Sequence, residues 1–171
     1  STKTRILKKL LETDGYLSGQ DLCEQLGVSR TAVWKYMKQL KEEGYEIEAV
    51  QNKGYCLKDV PDVLGESEIK SRLHTRWAGQ TLYYYDEIDS TNTQIKRLAE
   101  EDAPHGALAV ADYQSKGKGR RGHAWDSPHG SAIYMSILFR PDIRPDRASM
   151  LTLVIGLSVA QAIRSNLGVQ A

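Results

Sequence analysis

The sequence predicts an α+β protein in which a winged helix-turn-helix precedes a second domain of mixed helices and strands. Residues 1–60 contain three helical patterns followed by a β-hairpin, whereas residues 67–171 mix strands and helices without clean βαβ repeats. Between these regions Pro61 and Gly65 interrupt both patterns, which is typical of a linker. We therefore expect two domains, at 1–60 and 67–171, joined by a linker at 61–66.

The composition excludes several classes of protein. The chain has 171 residues, of which 40% are hydrophobic and 26% charged, and these values argue against disorder. Its longest apolar stretch, 150–159, contains polar residues and is shorter than the roughly 20 residues that span a membrane. Neither a signal peptide nor paired cysteines are visible, so we expect a cytoplasmic protein with no membrane association. The net charge of +1 leaves room for local basic faces only.

Each element of the first sixty residues has a local signal. Apolar residues recur at helical spacing over 3–12, 22–26 and 33–40. Ser18 and Ser29 stand where the N-caps of the second and third helices are expected, and glycines follow all three helices. Alternating residues then predict a hairpin with glycine at its turn, which is the wing of a winged helix.

The third helix is the element that we expect to contact DNA. Between Ser29 and Lys41 its charged residues are all basic, so a locally positive helix lies within a nearly neutral chain. A packing module with a solvated charged face is the alternative, but the hairpin and the acid-free helix together favour DNA binding. The expected DNA-contacting residues are Ser29, Arg30, Thr31, Lys35, Lys38 and Lys53.

The second domain alternates irregularly between strands and helices. Strands are predicted at 81–85, 107–113 and 133–139, and helices at 67–74, 92–101 and 147–167. We expect the last, apolar helix to belong to a sheet core whose later strands are not in this chain.

The loop at 114–132 carries the strongest chemical signal. Residues 117–122 fit the dinucleotide fingerprint G-x-G-x-x-G, but the following segment contains proline and glycine and cannot form the helix that the fingerprint requires. A Walker A motif is excluded because the last glycine is not followed by Lys-Ser/Thr. Glycines let a backbone approach an anion, and crowded cations hold phosphate oxygens, so we expect a loop that is mobile until an anion binds. The cations are Lys116, Lys118, Arg120 and Arg121.

Further polar residues flank this loop. Ser90-Thr91-Asn92 places two hydroxyls and an amide at a helix N-terminus, and spacing alone favours a capping role for Ser90 over a ligand contact. Gln114 stands at the end of a strand, and Trp125 offers a flat face for a base. The histidines have no partners at ligand spacing, so we assign no metal site.

Taken in order, these motifs resemble the biotin protein ligases. The resemblance rests on Ser90-Thr91-Asn92, Tyr113-Gln114, the glycine loop at 117–122, Trp125 and Ser127-Pro128. With the winged helix in front, the chain resembles the bacterial bifunctional members of that family, which are also biotin operon repressors. The fold implied is a winged helix followed by the first part of the mixed α/β catalytic domain.

The resemblance implies a two-step reaction. Biotin and ATP, accompanied by Mg²⁺, give biotinyl-5′-AMP and pyrophosphate, and a lysine of a biotin carboxyl carrier protein then takes the biotin. It also implies binding to operator DNA, as a homodimer that forms when the adenylate is bound. Lys118 and Arg120 would be the catalytic cations. The residues implied to contact biotin or its adenylate are Ser90, Thr91, Asn92, Gln114, Lys118, Gly119, Arg120, Arg121 and Trp125.

Two departures from the family pattern affect these expectations. Lys118 stands where many members have arginine, so a point charge replaces a planar fork. The family's K-W-P-N-D-like segment and its small β-barrel domain are not in this chain, so we expect an incomplete catalytic domain that binds DNA more readily than it catalyses. Two other functions stay open: a transcription regulator whose second domain senses a small anion, and a ligase for lipoate or another acyl group.

Overall fold

The structure of the protein is a computed structural model that describes residues 1–169, apart from the side chain of Arg120. Its two units are Ser1–Phe139 and Arg140–Ala171. In the first unit, helices α1–α5 span Thr2–Glu12, Gly19–Leu26, Arg30–Glu42, Glu66–Arg72 and Thr91–Glu100. Strands β1–β7 span Glu46–Val50, Gly54–Asp59, Leu82–Ile88, Leu108–Gln114, Gly117–Lys118, Ala124–Trp125 and Tyr134–Ile137.

The first part of this unit is a winged helix-turn-helix, as the sequence predicts. Ser18 Oγ accepts hydrogen bonds from the first backbone N–H groups of α2, and Ser29 Oγ accepts one from the N–H of Ala32 in α3. Gly27 ends α2 in the left-handed conformation, with φ 66°. One apolar face of each helix packs into a shared core. Its buried members are Ile6, Leu7, Leu10, Leu22, Leu26, Val33, Met37, Leu40, Tyr45 and Ile47.

The wing is an antiparallel hairpin of β1 and β2 that is anchored to the segment before α2. Leu17 and Tyr55 exchange two backbone hydrogen bonds, of 2.7 and 2.9 Å. Gly54 has φ +112°, and a Cβ there would lie 2.1 Å from the carbonyl oxygen of Leu17. Only glycine fits at the start of β2, because both the conformation and the close approach exclude a side chain.

The predicted linker at 61–66 lies inside the first unit. Helix α4 contacts α1, and Tyr45 donates its hydroxyl to Glu68 Oε2 over 2.6 Å. Glu68 also forms an ion pair with Arg72. Burial, followed by the hydrogen bond to Glu68, raises the pKa of the Tyr45 hydroxyl above its ordinary value. These contacts join residues on either side of the linker, and the domain boundary stays a prediction.

A three-stranded mixed sheet, in the order β3-β4-β7, forms the second part of the unit. Strand β3 is parallel to β4, and β7 is antiparallel to β4. The α+β class is confirmed, and within the described residues β3, α5 and β4 form one βαβ unit rather than a series of repeats. Ile95 and Leu98 of α5 pack on Ala107 and Ala109 and cover one face of the sheet. Ile69 of α4 packs on the other face.

The second unit contains α6, which spans Met150–Leu167 after a 3₁₀ turn at Pro145–Arg147. The predicted start of this helix at 147 is therefore three residues too early. Large apolar side chains along α6 are exposed, among them Leu153, Val154 and Leu157. Among the described residues, α6 is the one helix that is long and apolar enough to cross a membrane, with a mean hydropathy of 1.3. Core helices of soluble proteins also reach this length and hydropathy. The expected absence of membrane association stays a prediction.

Candidate functional site

The carboxyl ends of two parallel strands bring distant polar residues into contact. Ile88 of β3 lies opposite Gln114 of β4, so the turn after β3 meets the end of β4. Thr91 donates its backbone N–H to Gln114 Oε1 over 2.8 Å and its hydroxyl to the same oxygen over 3.1 Å. Gln114 therefore satisfies an otherwise unpaired N–H in the first turn of α5 from a neighbouring strand.

Ser90 does not cap α5, so the capping role that its spacing favours is wrong. It occupies the N-cap position with extended backbone, but its side chain makes no capping hydrogen bond. Ser90 is only 1% exposed, and its Oγ is buried without a hydrogen-bond partner in the described part of the chain. Such a hydroxyl costs about 1–3 kcal/mol when it stays unpaired, which favours the alternative role of ligand contact. Thr93 Oγ1 is also buried without a hydrogen-bond partner among the described residues, and no sequence pattern singled Thr93 out.

Two serines outside the predicted set complete this network. Gln114 donates Nε2–H to Ser127 Oγ over 2.9 Å, and Ser127 is 1% exposed. The hydroxyls of Thr91 and Ser136 lie 3.0 Å apart. These partners fix the orientation of the Gln114 amide, with its oxygen towards Thr91 and its nitrogen towards Ser127. In the sequence, the only signal for Ser127 is its place in a Ser-Pro pair of the family motif, and the only signal for Ser136 is that it is a polar residue within an apolar strand.

The glycine-rich loop begins as a short hairpin, which the sequence did not predict. Strand β5 pairs with β6, and the backbone N–H of Gly119 donates to the carbonyl of His123 over 2.8 Å. Gly117 is required for this pairing, because a Cβ would lie 2.3 Å from the carbonyl oxygen of Trp125. At the turn, Arg121 has φ +55° and Gly122 φ +77°. Lys118 thus lies on a strand of the hairpin, and Arg121 lies at its turn.

The hairpin and the start of α5 border an open cleft of about 720 Å³. Four predicted site residues line it together with Gly122, namely Asn92, Lys118, Gly119 and Trp125. Trp125 is 62% exposed, so most of its indole is available to a planar ring. The exposed Arg121 is not among the described lining residues, and the side chain of Arg120 lies outside the described part of the chain. A cleft with a cation and an aromatic face suits a ligand that combines an anion with a ring.

An ion pair supports the turn between β3 and α5. Arg97 Nη2 lies 2.8 Å from Asp89 Oδ2, while Asp89 Oδ1 accepts the backbone N–H of Ser90 over 2.7 Å. The hydrogen bond from Arg97 is the main reason that the pKa of Asp89 is below its ordinary value, and the charge of Lys118 contributes in the same direction. The backbone N–H of Lys116 donates to the Asp89 carbonyl over 2.8 Å. Asp89 therefore connects α5 to the glycine-rich loop.

On the winged helix, the expected DNA-contacting residues lie at the exposed surface of α3 and of the wing. Ser29, Arg30, Thr31, Lys35, Lys38 and Lys53 are all exposed. Arg30 and Lys53 line one cavity of about 440 Å³ between α2, α3 and the wing. Arg30 donates to Gln20 Oε1 over 2.9 Å, and Lys53 Nζ lies 5.6 Å from the Tyr16 ring centroid. The structure thus brings Arg30 and Lys53 to one concave surface.

Two features of α3 were absent from the sequence prediction. Lys38 lies 3.7 Å from Glu42, an exposed ion pair that partly offsets the positive charge at the end of the helix. Trp34 is 61% exposed and lies among the cations. Elsewhere, the described residues contain no group of three or more His, Cys, Asp or Glu side chains that could hold a metal ion.

Comparison with known families matches both parts of the chain. Residues 2–56 match a helix-turn-helix (HTH) domain, and residues 84–170 match the biotin/lipoate A/B protein ligase family. The chain is 44% identical over 172 residues to the bifunctional ligase/repressor BirA of Bacillus spizizenii, covering 99% of this chain and 53% of that protein.

A more distant relative also matches over most of this chain. Identity to the bifunctional ligase/repressor BirA of Escherichia coli is 35% over 156 residues, covering 91% of this chain and 47% of that protein. The chain therefore spans about half the length of the curated relatives it matches. Among solved structures, the biotin protein ligase from Aquifex aeolicus in complex with biotin and ATP has a TM-score of 0.46 and 35% identity, covering 53% of this chain and 37% of that one.

Proposed function

The chain belongs to the biotin/lipoate A/B protein ligase family, and we propose that it supplies the DNA-binding domain and part of the active site of a biotin–protein ligase that is also a biotin-responsive transcriptional repressor. The ligase forms biotinyl-5′-AMP from biotin and ATP and transfers biotin to a lysine of a biotin carboxyl carrier protein. The sequence likeness to bifunctional ligase/repressors supports both activities. The proposed domains are 1–60 and 67–171, joined by 61–66.

One observation carries the ligase proposal. The Ser90 hydroxyl is buried without a partner in the described chain, one residue from the rigid contact between Thr91 and Gln114. A neutral ligand head group with N–H and C=O groups, such as the ureido ring of biotin, would pair this hydroxyl without introducing charge. The network around Gln114 holds its neighbours in place, so little side-chain entropy is lost on binding.

The adjoining cleft has the groups that an adenylate requires. Lys118 and Arg120 are the proposed catalytic cations, because positive charge placed at the transferring phosphoryl group stabilises the charge that develops there. Gly119 lets the backbone approach the anion, Arg121 supports the turn, and Trp125 packs near the adenine. Closure of the hairpin over the bound adenylate would shield the mixed anhydride from hydrolysis.

Mg²⁺ fits as a companion of ATP rather than as a resident ion. Its preferred partners are carboxylates, water and phosphate oxygens, and the described residues offer no carboxylate cluster to hold it. The nucleotide phosphates would then be its main ligands, and Lys118, which lines the cleft, would help to neutralise their charge.

The remaining partners follow from the repressor half of the proposal. Operator DNA binds Ser29, Arg30, Thr31, Lys35, Lys38 and Lys53, and a homodimer that forms with the adenylate reads two half-sites. The carrier protein is the acceptor of biotin, and the cytoplasm is the compartment in which all these partners meet.

Calorimetric titration of the chain tests the ligand site. We expect biotin and biotinyl-5′-AMP to bind, the adenylate more tightly, and Ser90→Ala to weaken both. Gln25→Ala, an exposed glutamine on α2, is the matched control and should leave both affinities unchanged. Equal binding by the wild type and Ser90→Ala would contradict the proposed role of this hydroxyl.

Pyrophosphate exchange into ATP, measured with the full-length gene product, distinguishes the proposal from a ligase for lipoate or another acyl group and from a transcription regulator without ligase activity. Exchange that depends on biotin supports the proposal, whereas exchange that depends on lipoate alone identifies a lipoate-type ligase. No exchange with either acid would leave a transcription regulator whose second domain senses a small anion.

A further inference from the structure

An aromatic side chain stands exposed in the middle of the helix that is proposed to bind DNA. Trp34 lies one turn after Arg30 and one turn before Lys38, whose Nζ is 6.0 Å from the indole centroid. The neighbouring Val33 and Met37 are 2% exposed, whereas Trp34 is 61% exposed. Because a solvated indole forgoes the stabilisation of burial, its position among cations indicates an interface.

Trp34 lies on the flank of α3 that faces the wing. It lines a depression of about 200 Å³ together with Ala49 and Tyr55 of the hairpin. The same two hairpin residues also line the larger cavity that contains Arg30 and Lys53. The indole therefore borders the concave surface on which the structure gathers the proposed DNA-contacting cations.

The chemistry of an indole limits what it can recognise in duplex DNA. It carries one N–H donor and a large apolar surface, so it cannot replace lysine or arginine at an anionic phosphate. The apolar group that projects furthest into the major groove is the C5-methyl group of thymine, which accepts apolar contacts. A helix that enters this groove would place an exposed aromatic side chain beside that methyl group.

We propose that Trp34 reads thymine in the major groove by packing its indole against the C5-methyl group. The cations around it hold the phosphates and supply affinity, while Trp34 supplies sequence preference. This inference rests on the proposed DNA-binding function.

Replacement of thymine by uracil, which removes only the methyl group, tests the inference. A 30-bp duplex is first selected by the chain from a random pool and is then remade with deoxyuridine in place of each thymidine. We expect the chain to bind the thymine duplex about fourfold more tightly per contacted methyl group, from the burial of one methyl. In Trp34→Ala this ratio should fall to one while the slope of log affinity against log salt stays the same.

Two further variants make the result specific. Trp34→Phe retains an apolar ring and should keep part of the thymine preference. Lys35→Ala, on the same helix, should lower the salt slope and keep the thymine-to-uracil ratio. A wild-type ratio of one, or an unchanged ratio in Trp34→Ala, would overturn the role of Trp34. Failure to select any duplex would instead overturn the proposed DNA-binding function.

Discussion

Ser29 and Ser90 occupy the same local context, since each directly precedes a helix, yet the structure uses them differently. Ser29 caps α3 through the N–H of Ala32, whereas Ser90 leaves its hydroxyl buried and unpaired in the described chain. The difference arises because Gln114 reaches α5 from a neighbouring strand and accepts the N–H of Thr91. The first turn of α3 is thus capped by the residue just before it, whereas that of α5 is capped by a residue far away in sequence.

The largest effect on stability should come from removing the side chain of Gln114, which caps α5 from a neighbouring strand. Gln114→Ala leaves the backbone N–H of Thr91 and the hydroxyl of Ser127 with one fewer partner, so we expect the free energy of unfolding to fall by about 2 kcal/mol. Urea denaturation measures this value, and biotin titration should show weaker binding in the same variant. Gln25→Ala, at an exposed site, should change stability by less than about 0.5 kcal/mol. A loss no greater than that of the control would mean that α5 is capped in some other way.

The two cationic surfaces should respond separately. Lys35→Ala, on α3, removes a proposed phosphate contact, so DNA affinity should fall by about tenfold and the salt slope should flatten by about one. Lys118→Ala, on the hairpin, should weaken biotinyl-5′-AMP binding and leave DNA affinity unchanged in the absence of that ligand. Fluorescence anisotropy and calorimetry measure the two affinities. An unchanged salt slope in both Lys35→Ala and Arg30→Ala would refute α3 as the docking face.

Substitution of Ser29 and of Ser90 gives a smaller but direct test of their different roles at the two helix N-termini. Ser29→Ala removes a side-chain cap and should lower the free energy of unfolding by about 1 kcal/mol. Ser90→Ala removes a hydroxyl that makes no capping bond, so its effect on stability should be less than about 0.5 kcal/mol, or even favourable. Urea denaturation of both variants under the same conditions measures the contrast. Equal losses would show that Ser90 also stabilises α5.

The smallest expected effect is a change in the pKa of one carboxylate, Asp89 before α5, with Glu48 in the wing as the reference. Arg97 holds the pKa of Asp89 below its ordinary value, and Tyr16 and Lys58 lower the pKa of Glu48 in the wing. Arg97→Gln should move the pKa of Asp89 back towards the ordinary value of 3.8 and leave that of Glu48 unchanged.

The sign of the pH dependence follows from the lowered pKa. The Asp89–Arg97 pair stabilises the folded state above the ordinary pKa of Asp89, and this contribution is lost as the pH falls through the lower folded-state pKa. The stability difference between the wild type and Arg97→Gln should therefore be largest near neutral pH and shrink below about pH 4. Carbon-13 NMR titration of the carboxyl groups measures both pKa values, and a shift of Glu48 in this variant would contradict a local effect.

Much of the fold followed from local signals in the sequence. The caps at Ser18 and Ser29, the left-handed Gly27 and the apolar spacing of three helices predicted a winged helix that the structure confirms. In the second region β3, β4 and β7 were also predicted, but their pairing and the short strands β5 and β6 were not. Parallel pairing of β3 with β4 depends on a crossover through α5, and residue spacing within each strand carries no record of it.

The candidate site was recognised as a set of residue types, and its interior arrangement was not predictable. The sequence singled out Ser90, Thr91, Gln114 and Trp125 by their place in a family motif. It did not indicate that Ser127 orients Gln114, nor that the glycine loop forms a hairpin. A hydrogen bond between such residues depends on backbone positions that other parts of the chain determine.

The sequence by itself determined the three helices of the winged helix, the caps at Ser18 and Ser29, and the basic character of α3. Each of these depends on residues within a few positions of one another, where periodicity and capping act. Only the tertiary structure decided that Gln114 caps α5 and that Trp34 faces solvent beside the wing. It also decided that the Ser90 hydroxyl is buried with no hydrogen-bond partner among the described residues. The physical reason is that burial and hydrogen bonding depend on neighbours in space, and the parallel register of β3 and β4 places residues 23 positions apart in direct contact.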